Sequence, residues 1–172
     1  MQPTLAGKWF LSQTRHGLLV HARLGAGQSN SGKLVAGIRA RAREIAGRDG
    51  LDYIITDGPP GTGCPVISCL SGASLALLVT EPTLSGINDL ARILDVCRHF
   101  SVPAVVCINK FDLNAENCLA IEEQCRIQAV PIVARIPYSD AFLRAIARGG
   151  TVLDNGGGDV GEQLQRMWRR IA

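Results

Sequence analysis

The sequence has no C-x-x-C pair, no long apolar run, no basic stripe and little net charge, and each absence removes a class of protein. Its six cysteines, Cys64, Cys69, Cys97, Cys107, Cys118 and Cys125, are spread over about sixty residues with no ligand spacing. Free, largely buried thiols in a cytoplasmic protein are therefore expected. The three histidines, His16, His21 and His99, form no cluster with them. Without 18 consecutive apolar residues no membrane span is expected, and without a basic-then-apolar start no signal peptide is expected. Eighteen basic residues against fifteen acidic leave a formal charge of +3. Arg41, Arg43, Arg166, Arg169 and Arg170 fall on helical patterns without interleaved aromatics, so nucleic acid is not an expected partner.

What is present suits one hydrophobic core: 172 residues, 47% of them hydrophobic. Residues 7–24 read as a β-hairpin turning at Arg15-His16-Gly17, with Leu18, Val20, Ala22 and Leu24 on one face of the return strand. After the loop at 25–30, Leu34, Val35, Ile38, Ala42 and Ile45 repeat at helical spacing behind Ser31 as a cap, and Gly47 and Gly50 end that helix. Short, nearly all-apolar runs follow: LDYIITD (51–57), LALLVT (75–80), PAVVCIN (103–109) and VPIVARI (130–136). Such runs suit strands covered on both faces. Between and after them lie amphipathic helical patterns, the last with Asp159 at its start and arginines at its end, which suits the helix dipole. The expected fold is α/β, a mostly parallel sheet sandwiched by helices with an N-terminal hairpin: one domain over 1–172, the hairpin at 7–24 and the core at 31–172.

In an open α/β sheet, ligands gather beyond the carboxyl ends of the strands. Three stretches occupy such ends. Asp57 closes an apolar strand and is followed by Gly58-Pro59-Pro60-Gly61-Thr62-Gly63. A carboxylate there is suited to hold Mg²⁺ through water, and the Gly61 N–H can approach a terminal phosphate, although a plain Pro/Gly turn has the same composition. In Thr80-Glu81-Pro82-Thr83, Pro82 halts the strand, Thr83 can cap the next helix, and Glu81 can meet a ligand, a partner or nothing but a turn. Asn109-Lys110-Phe111-Asp112 has the N-K-x-D form of a base reader at a strand end: an asparagine amide can pair with a purine edge, a lysine stem can lie over its plane, and Asp112 would add guanine selectivity if it reached the ring.

GQSNSGKL (27–34) imitates a phosphate-binding G-x4-G-K loop, but Leu34 stands where a Mg²⁺-holding Ser or Thr belongs. It also follows a hairpin strand and not a central parallel one. Its chemistry reads as a decoy, although Gly32 and Lys33 open a helix N-terminus that can attract an anion.

The runs LDYIITDGPPGTGCPV, LALLVTEPTLSGINDLARILDVCRHFSVPAVVCINKFDLN and IPYSD closely resemble the MinD/ParA/Mrp group of P-loop ATPases, and SGKLVAGIRARAREIA resembles its branch with an inserted ferredoxin domain. The resemblance implies a lysine-containing Walker A loop on a first strand, then an insert holding iron–sulfur clusters. Neither motif stands in this sequence, so a C-terminal portion of a longer protein is expected. It implies ATP and Mg²⁺ as cofactors of the complete protein, with iron–sulfur clusters only in the missing insert. By resemblance, Asp57 is the Mg²⁺-linked aspartate, and Gly58 to Gly63, with Gly61 and Thr62, form the phosphate-sensing switch. Asn109 with Lys110, and Pro137 with Tyr138, border the adenine. A homodimer, or pairing with the missing N-terminal and ferredoxin portion, is the expected partnership, and the chain alone is expected to be inactive.

Three functions stay open at this level: the nucleotide-switch part of an ATPase linked to iron–sulfur or redox work, a non-catalytic binding or assembly module with an incomplete nucleotide site, and a small GTP-binding protein suggested by NKFD.

Overall fold

A computed structural model describes residues 7–24, 31–155 and 157–172. The chain divides into two compact units, Met1–Ala73 and Ser74–Ala172.

The first unit begins with the expected hairpin. Strands β1 (Gly7–Thr14) and β2 (Gly17–Leu24) pair antiparallel from Thr14↔Gly17 to Gly7↔Leu24. Gly17, at φ +131°, closes the two-residue turn where a side chain would be strained. The Thr14 hydroxyl fixes the turn, donating to the Gly17 carbonyl at 2.7 Å and accepting the His16 N–H at 3.2 Å. The Arg41 guanidinium lies 5.8 Å from the centre of the Trp9 ring, a cation–π contact between hairpin and helix.

Helix α1 (Ser31–Asp49) ends at Gly50, whose φ of +65° lets the Leu51 N–H reach back to the Ala46 carbonyl at 2.9 Å. Helix α2 (Cys64–Leu70) is too short to leave a periodic signature in the sequence. It buries Val66 and Leu70, while α1 buries Ile45 and Ala46. Two arginines of α1 satisfy the carbonyls at the end of α2. Arg39 donates to Ser68 O at 2.6 Å and Ser71 O at 2.7 Å, and Arg43 to Gly72 O at 3.0 Å. Burial, and then the neighbouring Arg43 charge, lower the Arg39 pKa from its ordinary value.

Residues 51–57 depart from expectation. They enter no sheet among the described residues, and Tyr53 and Ile55 are 55% and 79% exposed. An all-apolar run becomes a buried strand only when a neighbouring strand and covering helices are present to take it. Composition alone does not supply them.

The second unit is the parallel core. Strands β3 (Ala76–Thr80), β4 (Ala104–Asn109) and β5 (Ile132–Ile136) are ordered β3-β4-β5, with Thr80 opposite Ile108 and Asn109 opposite Ile136. Helices α3 (Leu84–His99) and α4 (Ala115–Ile127) cover one face, where Leu90, Leu94, Val106, Ile108, Cys118, Ile121 and Cys125 form a buried cluster. Cys107 points to the opposite face, with Ile136, Val160, Leu164 and Met167. Thus α6 (Gly158–Ile171) covers that side, and its Arg170 donates to the Val133 carbonyl of β5 at 2.9 Å. Alternation along β4 therefore feeds two cores, the reason its sequence is apolar throughout. A short helix α5 (Ala141–Ala147) follows β5, and the Ala141 N–H donates to Ser139 Oγ at 3.2 Å.

Candidate functional site

The second unit gathers polar groups where its strands end. Thr80 closes β3, and its hydroxyl donates to the Gly86 carbonyl at 3.1 Å. Thr83 caps α3 by accepting the Gly86 N–H at 3.0 Å. Gly86 itself is required by proximity: a Cβ there would stand 2.3 Å from the Glu81 carbonyl oxygen and 3.1 Å from both threonine hydroxyls. The TEPTLSG stretch is thus a closed hydrogen-bonded turn that fixes the Glu81 backbone. Asn117 of α4 adds a bond to the Pro82 carbonyl at 3.1 Å, and Asn114 caps α4.

Next to this turn, β4 ends at Asn109, and Lys110 takes the left-handed conformation, φ 52° and ψ 42°. A non-glycine residue in that region costs about 1–2 kcal/mol. The bend lets the chain enter a 3₁₀ turn at Phe111–Leu113, while the Lys110 Nζ lies 2.7 Å from Glu81 Oε1. Asn109 Nδ2 donates to the same oxygen at 3.4 Å. Both members of the ion pair are more than a third exposed, so it stabilises the fold by no more than about 1 kcal/mol. Its effect is to hold Asn109 and Lys110 side by side. Beyond β5, Pro137 is half-buried and Tyr138 exposed, and Asp112 Oδ1 accepts the Tyr138 backbone N–H at 2.7 Å. That oxygen, which would have to reach a guanine ring in a GTP-type site, is engaged in joining two loops.

The remaining sequence candidates, Asp57, Gly61 and Thr62, belong to the first unit. Asp57 is exposed, and Gly61 has φ +90°, which calls for glycine. Gly63 precedes α2 and accepts the Ile67 N–H at 3.1 Å. Cys69 of α2 lies near this loop: burial chiefly, and also the Asp57 charge, raise its thiol pKa. Of GQSNSGKL, residues 27–30 lie outside the described residues, and Ser31 to Leu34 open α1. A Cβ on Gly32 would stand 3.2 Å from Cys64 Cβ, so this glycine serves the close packing of α1 on α2.

Within the second unit, the Asn109 amide donates to Glu81 Oε1 through Nδ2 and keeps its Oδ1 as an acceptor. Within the first unit, Asp57 is an exposed carboxylate. The cysteines do not suit an iron–sulfur cluster. All six are free, four are buried, and among the described residues no group of three or more Cys, His, Asp or Glu gathers to hold a metal. Sequence reasoning left Glu81 undecided and missed Gly86. The signal for both lay in T-E-P-T-L-S-G, but the part of Glu81 depends on the left-handed turn at Lys110 and that of Gly86 on its close approach to the Glu81 carbonyl.

No model of a known protein family matches the chain. An uncharacterized protein of Methanocaldococcus jannaschii is 37% identical over 99 residues, 58% of this chain and 34% of that protein. The septum site-determining protein MinD of Thermotoga maritima is 28% identical over 126 residues, 70% of this chain and 46% of that protein. An iron-sulfur cluster carrier protein of Rickettsia bellii is 32% identical over 103 residues, 56% and 31% of the two chains. The chain thus spans about a third to a half of the length of these relatives. Among solved structures, the MinD cell division protein of Aquifex aeolicus aligns with a TM-score of 0.69 at 21% identity, covering 93% of this chain and 67% of that one. MinD of Pyrococcus horikoshii, solved with Mg-ADP, aligns at 0.66 with 17% identity, covering 81% and 56%.

Coverage of 93% takes in most of Met1–Ala73 as well as Ser74–Ala172. It overturns the expectation of no more than a C-terminal portion, lacking the Walker A region, that contributes only switch and adenine-side residues. The match runs through both units, including the first helices, and is not confined to the parallel core. No helix among the described residues is long and apolar enough to cross a membrane. The α/β architecture, a parallel sheet flanked by helices with an N-terminal hairpin, is P-loop NTPase-like, and the chain has the fold of the MinD proteins.

Proposed function

We propose that this chain is a cytoplasmic adenine-nucleotide-binding protein of the MinD/ParA/Mrp kind, whose nucleotide state governs assembly with a second copy. The observation that carries this reading is the convergence of Glu81, Asn109 and Lys110 at the carboxyl ends of β3 and β4, in a fold shared with a protein solved with Mg-ADP. In it, Asn109 reads the adenine edge, and the Lys110 stem, Pro137 and Tyr138 flank the base. Asp57 holds Mg²⁺ through water, and Gly61 and Thr62 respond to the terminal phosphate. When bound, Mg²⁺ neutralises phosphate charge. Similarity to an iron-sulfur cluster carrier supports a task in cluster or redox work for the assembled protein, with any cluster held outside this chain's own cysteines.

A second reading, a non-catalytic binding or assembly module with an incomplete nucleotide site, is favoured by the exposed apolar residues Tyr53, Ile54 and Ile55. Binding of Mg-ATP measured by calorimetry, with phosphate release followed in parallel, separates the two. The proposal expects binding that weakens at least tenfold in Asn109→Ala, and a Mg²⁺ dependence that disappears in Asp57→Ala. Binding indifferent to both substitutions would remove the site. Binding without phosphate release favours the module.

A further inference from the structure

We infer that Glu81 is a positioning residue that sets purine selectivity by fixing which way the Asn109 amide faces; this rests on the adenine-site reading above. A carboxylate only accepts hydrogen bonds. The group that Asn109 turns toward Glu81 Oε1, 3.4 Å away, must therefore be its NH2. One N–H is thereby used. The edge left open carries the Oδ1 acceptor and the other N–H donor side by side. That pair matches adenine, whose 6-amino group donates and whose N7 accepts. It opposes guanine, which offers two acceptors, O6 and N7, on the same edge.

Three further features hold the arrangement. Lys110 Nζ sits 2.7 Å from the same Glu81 oxygen, keeping that carboxylate at the amide. The Glu81 backbone is pinned by the turn that Gly86 permits, so the carboxylate is delivered from a rigid element. Asp112, the group by which an N-K-x-D sequence would select guanine, has one oxygen committed to the Tyr138 N–H at 2.7 Å. The N-K-F-D sequence is thus turned from a guanine reader into an adenine reader by a residue 28 positions earlier in the chain.

The test is calorimetric titration of the chain with Mg-ATP and, separately, Mg-GTP, for wild type, Glu81→Ala, Glu81→Gln and Asn109→Ala. In Glu81→Ala the amide is no longer held in the orientation that matches adenine, and the ATP-to-GTP affinity ratio is expected to fall about tenfold, mainly because ATP binding weakens, since either orientation offers guanine only one match. Glu81→Gln can donate to Asn109 Oδ1 as well as accept from its NH2, so it no longer fixes the amide and is expected to lower the ratio in the same direction as Glu81→Ala. A role confined to folding would lower both affinities together and leave the ratio alone. Should Glu81→Ala not fold, Glu81→Met, which keeps the aliphatic stem and removes the acceptor, gives the same readout. A ratio unchanged in the acceptor-less variant, while Asn109→Ala abolishes ATP preference, overturns the positioning role and leaves the site intact. Wild-type chain that binds neither nucleotide, or Asn109→Ala with unaltered affinities, sinks the adenine-site reading and this inference with it.

Discussion

At the scale of single residues, the candidate site depends on contacts that tolerate little change. Gly86 is the clearest. Its α-hydrogen faces the Glu81 carbonyl where a methyl group would have to stand at 2.3 Å, against backbone and not a yielding side chain. Gly86→Ala is expected to destabilise the chain by about 1–3 kcal/mol despite alanine's better helix propensity, because the turn must open to admit it. The shift of the urea midpoint measures this. A midpoint that moves upward would mean the turn is loose. The buried thiols make a different prediction. Burial pushes both Cys107 and Cys125 up to about 11 from the ordinary 9.0. The unfolded chain therefore releases these protons first, and native stability is independent of them below pH 9 and falls as pH rises from about 9 to about 11. Unfolding measured across that range is expected to show a shallower decline in a Cys107→Ala/Cys125→Ala variant than in wild type. Equal slopes would contradict the burial.

At the scale of elements, the sheet and the helix α1 could be read from sequence, and the reason is local. AVVCIN is apolar on both faces, and the structure covers both. Leu34 to Ile45 repeat at 3.6 residues in a helix that Gly50 ends. LDYIITD has the same look as AVVCIN, yet it enters no sheet among the described residues and is largely exposed. The difference lies in the neighbours, since a strand exists only as half of a pair. The site was legible to a similar degree. Asn109 announces itself at a strand end, whereas the part played by Glu81 depends on the left-handed turn at Lys110, which no propensity scale foretells for lysine. Two expectations at this scale can be checked together. Backbone amides at Val106 and Ile108, fully buried, should exchange with solvent near the global unfolding rate, and those at 53–56 within the fastest class. Protection at 53–56 equal to that of β4 would contradict the structure. Ile121, at 0% exposure beneath β4, is the anchor of α4, and Ile121→Ala is expected to cost about 2–5 kcal/mol by thermal or urea unfolding.

At the scale of the whole molecule, two facts stand together. The MinD fold aligns along 93% of this chain, while the chain spans only about a third to a half of its curated relatives. The fold by itself fixes no activity. Function rests on whether the polar cluster at the strand ends recognises a base. The apolar residues Tyr53, Ile54 and Ile55 are exposed. The most direct measurement is a calorimetric titration of the purified chain with Mg-ATP, with Mg-GTP alongside. The account predicts saturable ATP binding, at least tenfold tighter than GTP and weakened by Asn109→Ala. Equal affinity for the two, or binding of neither, would contradict it.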